Sequence, residues 1–197
     1  MGNNISSLED SENIGEKENE PDWIRQDIRL SHVPEEIIEP TGIIIHCTEI
    51  NSLQDSLKIM EQRRVSCQFM IDLDGTIYQL MTPINRMAHG CYGGNRWGIN
   101  IELVGTEKLI LEKAQQDQKQ IAALVRLIHY VGEKFHIPLS NALEGQQENH
   151  RWRGIFSHQQ VNDYHPLSLA RSKRPRKIDP GEEYMKLVFE HFHQRRK

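Results

Sequence analysis

Residues 42 to 48 read Gly-Ile-Ile-Ile-His-Cys-Thr, and Pro40 stands just before them. Three consecutive β-branched isoleucines between breakers make a run that is too short for a helix and apolar on both sides. That is the pattern of a strand buried on both faces. Such strands belong to sheets covered by helices above and below, so the run points to an α/β architecture. His46 closes the apolar part, which puts an imidazole at the carboxyl end of a central strand, where open sheets gather their ligands.

Outward from this run, Ser52 can cap a helix to Arg64 that carries Leu53, Leu57, Ile59 and Met60. Ser66 to Asp72 and Thr76 to Leu80 are β-rich and joined by Leu73-Asp74-Gly75, which predicts a hairpin. Gly98 to Val104 alternates: Ile99, Ile101 and Leu103 point one way, Asn100 and Glu102 the other. A helix is expected over Gln115 to His136, where Ile121, Leu124, Val125, Ile128, Val131 and Phe135 recur at three and four residue steps, with Pro138 beyond its end. Residues 140 to 177 show few periodic apolar positions and are expected to form long loops, and a last helix is expected from about Gly181 to Arg196.

The 197 residues suffice for one domain with a real core and tails. With 37% hydrophobic and 26% charged residues, the chain reads as globular, with no stretch long enough to cross a bilayer. A net charge of -4 speaks against a nucleic-acid partner, since such domains present a basic face to phosphates. Cys47, Cys67 and Cys91 are odd in number and form no CxxC pair, so neither a disulfide framework nor a thiolate cluster is indicated. Residues 1 to 22 are expected to be a flexible acidic tail, too poor in apolar groups to repay ordering, and 23 to 197 the domain. No secretory apolar run opens the sequence, so a cytoplasmic location is expected, or release by a signal-independent route. Met-Gly-Asn-Asn-Ile-Ser fits the loose pattern for myristoylation at Gly2.

Ten histidines prove nothing by number. Three groups stand out by setting: His46 at the end of the isoleucine strand, His158 after Ile155-Phe156-Ser157, and Asp179 in Lys177-Ile178-Asp179-Pro180-Gly181. Two imidazoles and one carboxylate suit a catalytic zinc ion, because three protein ligands leave a fourth position for water. Ligand order and spacing carry little weight here, since the groups need only converge in space.

Several stretches together resemble a known family. They are residues 42 to 48; Phe69-Met70-Ile71-Asp72-Leu73-Asp74-Gly75-Thr76-Ile77-Tyr78-Gln79-Leu80; and Asn95-Arg96-Trp97-Gly98-Ile99-Asn100-Ile101-Glu102-Leu103-Val104-Gly105. Ala88-His89-Gly90 and the Lys-x-Asp-Pro-Gly run at 177 to 181 support them. In order and approximate spacing they are similar to the type 2 N-acetylmuramoyl-L-alanine amidases, the family of AmpD-type recycling amidases, phage lytic amidases and peptidoglycan recognition proteins. The resemblance implies a single mixed sheet of about five or six strands flanked by helices, with zinc at the base of a surface groove. It implies zinc ligation by His46, His158 and Asp179, with Glu102 as catalytic base and Lys177 as stabiliser of the oxyanion. His89 corresponds to a substrate-lining histidine. Asn95 and Trp97 are further candidates to touch substrate, although an aromatic residue just before a strand also serves packing.

Departures from the family pattern keep alternatives open. Gln68 stands where the family commonly has histidine; it can support the site by hydrogen bonding but cannot take up a proton as imidazole does. Cys67 stands where some members have a catalytic tyrosine, which points to the glutamate style of proton handling. Residues 163 to 173 look inserted, which leaves His165, and more remotely His150, as rivals to His158. The expected reaction is hydrolysis of the amide between the lactyl group of N-acetylmuramic acid and L-alanine, in peptidoglycan or muropeptide partners. The competing expectation is a recognition module that binds peptidoglycan without cutting it. Of wall recycling, lysis and delivery into another cell, the lack of a secretory run favours the first two.

Overall fold

The computed structural model describes residues 20–141, 152–164 and 179–194. Six strands, β1 (Ile24–Arg25), β2 (Gly42–Cys47), β3 (Phe69–Ile71), β4 (Ile77–Gln79), β5 (Gly98–Leu103) and β6 (Gly154–Ser157), form one sheet. Their spatial order is β1-β4-β3-β5-β2-β6. Strand β2 lies between β5 and β6 and runs parallel to both, while β3 pairs in parallel with β5 and antiparallel with β4. The sheet is therefore mixed, as expected, with the isoleucine strand inside it and Ile43, Ile44 and Ile45 wholly buried.

Among the described residues five helices cover the sheet: α1 (Leu53–Arg63), α2 (Glu107–Gln116), α3 (Lys119–Phe135), α4 (His158–Tyr164) and α5 (Glu182–Gln194). Alternation along the strands divides the side chains between two faces. Ile43, Ile45, Ile99, Ile101, Phe69 and Ile71 pack under α2, α3 and α5 in the main core. On the other face Met70 packs with Leu53 and Met60 of α1, and Ile44 with Phe156 and with Val161 of α4. Each fully buried isoleucine contributes about 1.5–3 kcal/mol by leaving water, so this strand is a large part of what holds the sheet together. The cap of α1 is Ser52, whose Oγ accepts from the Asp55 N–H at 3.3 Å.

Two expectations need correction. The periodic run from 115 to 136 is not one helix, because α2 ends at Gln116 and Gln118 breaks the chain with φ 57°. Asp117 stabilises the break: its carboxylate accepts from Lys113 Nζ at 2.9 Å and from the Lys119 N–H at 3.3 Å. The apolar period survives because Ile110, Ala114 and Ile121 all face the same core. Within the expected loops of 140 to 177, residues 154 to 164 form β6 and α4. An edge strand of four residues with two large apolar side chains is too short to announce itself by periodicity. Residues 1–19 of the expected tail lie outside the described residues, and Glu20 is already tied to Tyr130 and Lys134 of α3.

Gly42 and Gly98 are register partners where β2 and β5 begin, on the face that carries His46. A Cβ on Gly98 would press on the Ile44 side chain, with Cγ1 at 2.9 Å, and on the Gly94 carbonyl at 3.1 Å. Overpacking of a filled core costs about 1–3 kcal/mol. Gly98→Ala is expected to lower the unfolding free energy by that amount, seen as a lower urea midpoint at an unchanged m-value. An unaltered midpoint would show that Ile44 has room to yield.

Candidate functional site

Because β2, β5 and β6 are parallel, their carboxyl ends meet at one edge of the sheet. His46 is the penultimate residue of β2, and Glu102 of β5 is its register partner on the neighbouring strand. His158 follows directly on β6 as the first residue of α4. Asp179 arrives from the turn before α5, and its backbone carbonyl accepts from the Gln159 N–H at 3.3 Å, which ties that turn to the start of α4. The following Gly181 has φ +84°, and a Cβ there would run into the Glu107 carboxylate. Glycine is therefore required both by the backbone and by the space.

His46, His158 and Asp179 are all buried, with their ligand atoms within 4.8 Å of one another. His46 Nδ1 lies 3.0 Å from His158 Nδ1 and 3.7 Å from Asp179 Oδ2, and His158 Nδ1 lies 3.3 Å from the same oxygen. Asp179 Oδ1, also buried, has no hydrogen-bond partner among the described residues. Two ring nitrogens and a carboxylate that converge away from water make a set of donors that could share a cation. The donor set, two imidazoles and a carboxylate, is one that zinc takes in sites with an open position, so the residues present fit that ion.

The surroundings are strongly negative. Burial works against a charge on His46, but the hydrogen bond to Asp179 and the charge of Glu102 outweigh it and raise its pKa. Burial would push Asp179 up, yet its hydrogen bonds to His158 and His46 hold it below the usual carboxylate range. Burial first, then Glu49, Asp179 and Glu183, raises Glu107. The Cys47 and Cys67 thiols are pushed up by burial, with Glu49 adding to Cys47 and Glu102 to Cys67, so neither is a thiolate donor beside the imidazoles.

The remaining expected site residues differ in placement. Lys177 lies outside the described residues, as do His165 and His150. His89 is exposed on a loop held by Ser66, whose Oγ accepts from the His89 N–H at 2.9 Å. Asn95 spends its side-chain oxygen on the Cys91 N–H at 2.8 Å, a local brace. Trp97 is half-buried, stacks on Trp152 at 5.9 Å and donates from Nε1 to the Gly93 carbonyl at 2.6 Å. Gln68 is fully buried, with Nε2 donating to the Arg86 carbonyl at 2.8 Å and Oε1 accepting from the Asn100 N–H at 2.7 Å. It braces Asn100 from within the fold. Sequence reasoning passed over Asn100, whose Oδ1 meets His46 Nε2 at 2.9 Å. The only hint was that it shares a strand face with Glu102.

Comparison with known proteins bears on family and fold. The family model for N-acetylmuramoyl-L-alanine amidases matches residues 37–182. No curated protein matches the chain. Among solved structures, the N-acetylmuramoyl-L-alanine amidase LysC from Clostridium intestinale is similar at 18% identity and a TM-score of 0.56, covering 86% of this chain and 97% of that one. The hydrolase AmiA of Staphylococcus aureus, solved with its ligand, is similar at 17% identity and a TM-score of 0.59, covering 84% of this chain and 79% of that one. PlyL is similar at 18% identity and a TM-score of 0.53, covering 84% and 94%. At these identities the likeness is one of fold.

Proposed function

The chain belongs to the N-acetylmuramoyl-L-alanine amidase family, and on that premise we propose that it is a zinc hydrolase cutting the amide between the lactyl group of N-acetylmuramic acid and L-alanine. The observation that carries the reading is the meeting of His46, His158 and Asp179, drawn from positions up to 133 residues apart into one buried cluster. Those three side chains would hold the zinc. Zinc at such a centre supplies Lewis acidity, which lowers the pKa of water to about 7 and polarises an amide carbonyl.

Glu102 is the proton carrier in this reading. Register partnership with His46 puts its carboxylate on the same face, next to the ligand cluster. From there a carboxylate oxygen can take a proton from the attacking water and return it to the alanine nitrogen as the C–N bond breaks. Lys177, two residues before Asp179 in the sequence, would bring positive charge to the oxygen that becomes negative in the tetrahedral intermediate. His89, on its exposed loop, offers a hydrogen-bonding ring to glycan or peptide. Burial of the ligand atoms keeps bulk water from weakening these electrostatic contacts.

The direct test is mass spectrometry of products from polymeric wall and from soluble muropeptides. Free stem peptide with an L-alanine amino terminus is expected, lost with a chelator and restored by zinc. Tight binding of intact muropeptide by the zinc-loaded protein with no peptide release would instead favour a recognition module.

A further inference from the structure

A chain of buried amides runs from the loop before His89 to the ligand cluster. Gln68 Nε2 donates to the Arg86 carbonyl at 2.8 Å, which fixes that amide so that its oxygen accepts from the Asn100 N–H at 2.7 Å. Asn100 Nδ2 donates to the Gly98 carbonyl at 3.1 Å, which orients the second amide in turn and leaves Oδ1 facing His46 Nε2 at 2.9 Å. Each amide is thus assigned by a backbone partner of known polarity. An amide oxygen only accepts, so Nε2 carries a proton, and in the neutral imidazole that leaves Nδ1, the atom turned towards His158 and Asp179, as the lone pair.

We infer that Asn100 is a positioning residue, clamped by Gln68, which holds His46 in the Nε2–H tautomer and aims its Nδ1 lone pair at the cation position. The inference rests on the zinc reading for its purpose but not for its geometry. Imidazole ligands commonly donate their second N–H to a fixed acceptor, which sets ring orientation and basicity, and loss of the acceptor typically weakens metal binding by about 10–100-fold. Here the acceptor is itself secured on two sides. Asn100 and Gln68 are both wholly buried, so water cannot replace either bond. Gly90 closes the site from the loop: a Cβ there would meet Asn100 Oδ1 at 3.3 Å and the Ser66 carbonyl at 3.0 Å. The loop that exposes His89 is therefore packed on the same amide that orients His46.

The test uses the zinc-free full chain and three variants. Long-range proton–nitrogen NMR correlations on the wild type, at a pH high enough to leave the imidazole neutral, are expected to show the single His46 ring proton on Nε2. Asn100→Leu, close in shape and without an acceptor, is expected to mix the tautomers and to weaken zinc binding about 10–100-fold in competition with a chelator. Asn100→Asp keeps an acceptor and is expected to stay within a few-fold of wild type. Gln68→Met leaves Asn100 in place without its clamp and is expected to fall between the two. A wild-type His46 protonated on Nδ1 overturns the inference without recourse to any variant, so a misfolded Asn100→Leu does not shelter it. A folded Asn100→Leu that binds zinc as tightly as wild type overturns it too. A wild type with the Nε2–H tautomer and no affinity for zinc would sink the zinc reading and leave the tautomer lock standing.

Discussion

Glu102→Gln is expected to leave zinc bound and to slow peptide release from muropeptides by about two to four orders of magnitude, the usual worth of a positioned general acid–base. Glutamine keeps the size and a hydrogen-bonding head, but an amide cannot receive a proton from water and hand it to a leaving nitrogen. The loss corresponds to about 3–5.5 kcal/mol of barrier. Metal binding should not suffer. The Glu102 charge raises the His46 pKa, so its removal makes that imidazole easier to keep neutral and available to a cation. Zinc content measured on the purified variant, together with the initial rate on soluble muropeptide, separates the roles. A variant that turns over at the wild-type rate would mean another group moves the proton. One that loses zinc would mean Glu102 belongs to the ligand set.

That prediction rests on features of unequal visibility in the sequence. Residue Glu102 was legible because β5 alternates cleanly: a period of two assigns Glu102 and Asn100 to one face without further information. The isoleucine strand was legible for the opposite reason, an unbroken apolar run that only a strand covered on both faces tolerates. The meeting of His46 with His158, 112 residues later, was not. Parallel strands brought together by crossovers place distant residues side by side, and nothing in their spacing records it. Family resemblance supplied that pairing, and the register of β2 with β6 supplies its physical cause.

Strand β6 and helix α2 were missed where local signals were weakest. Only Ile155 and Phe156 mark β6 as apolar, and it becomes a strand by borrowing the β2 edge. The α2–α3 boundary was hidden because both helices lie on one core and keep one period across the break at Gln118. Gln68 shows a different limit. Its residue type allowed hydrogen bonding, but its partners, the Arg86 carbonyl and the Asn100 N–H, lie 18 and 32 residues away and are fixed only by the fold.

Asp179→Asn is expected to abolish both amidase activity and the stabilisation of the protein by zinc. A ligand present at about 1,000 times its Kd adds about 4 kcal/mol to the native state, worth about 8–16 °C in Tm for a chain of this size. The neutral amide keeps the shape but is a far poorer ligand, so the variant should melt at nearly one temperature with or without zinc. The pH dependence of the zinc-free wild type gives an independent check. Asp179 has a lowered folded pKa, so its contribution is present above the unfolded value of about 3.9 and is lost as the pH falls through the lower folded value. His46 has a raised folded pKa, so its contribution is complete below the unfolded value of about 6.5 and is lost as the pH rises through the higher folded value. The zinc-free protein should thus gain most from this pair between about pH 4 and 6.5, a window that Asp179→Asn flattens. Zinc needs the imidazoles neutral, so the Tm rise it produces should grow as the pH climbs out of that window. An Asp179→Asn chain whose Tm rises with zinc as far as the wild type's would remove Asp179 from the ligand set.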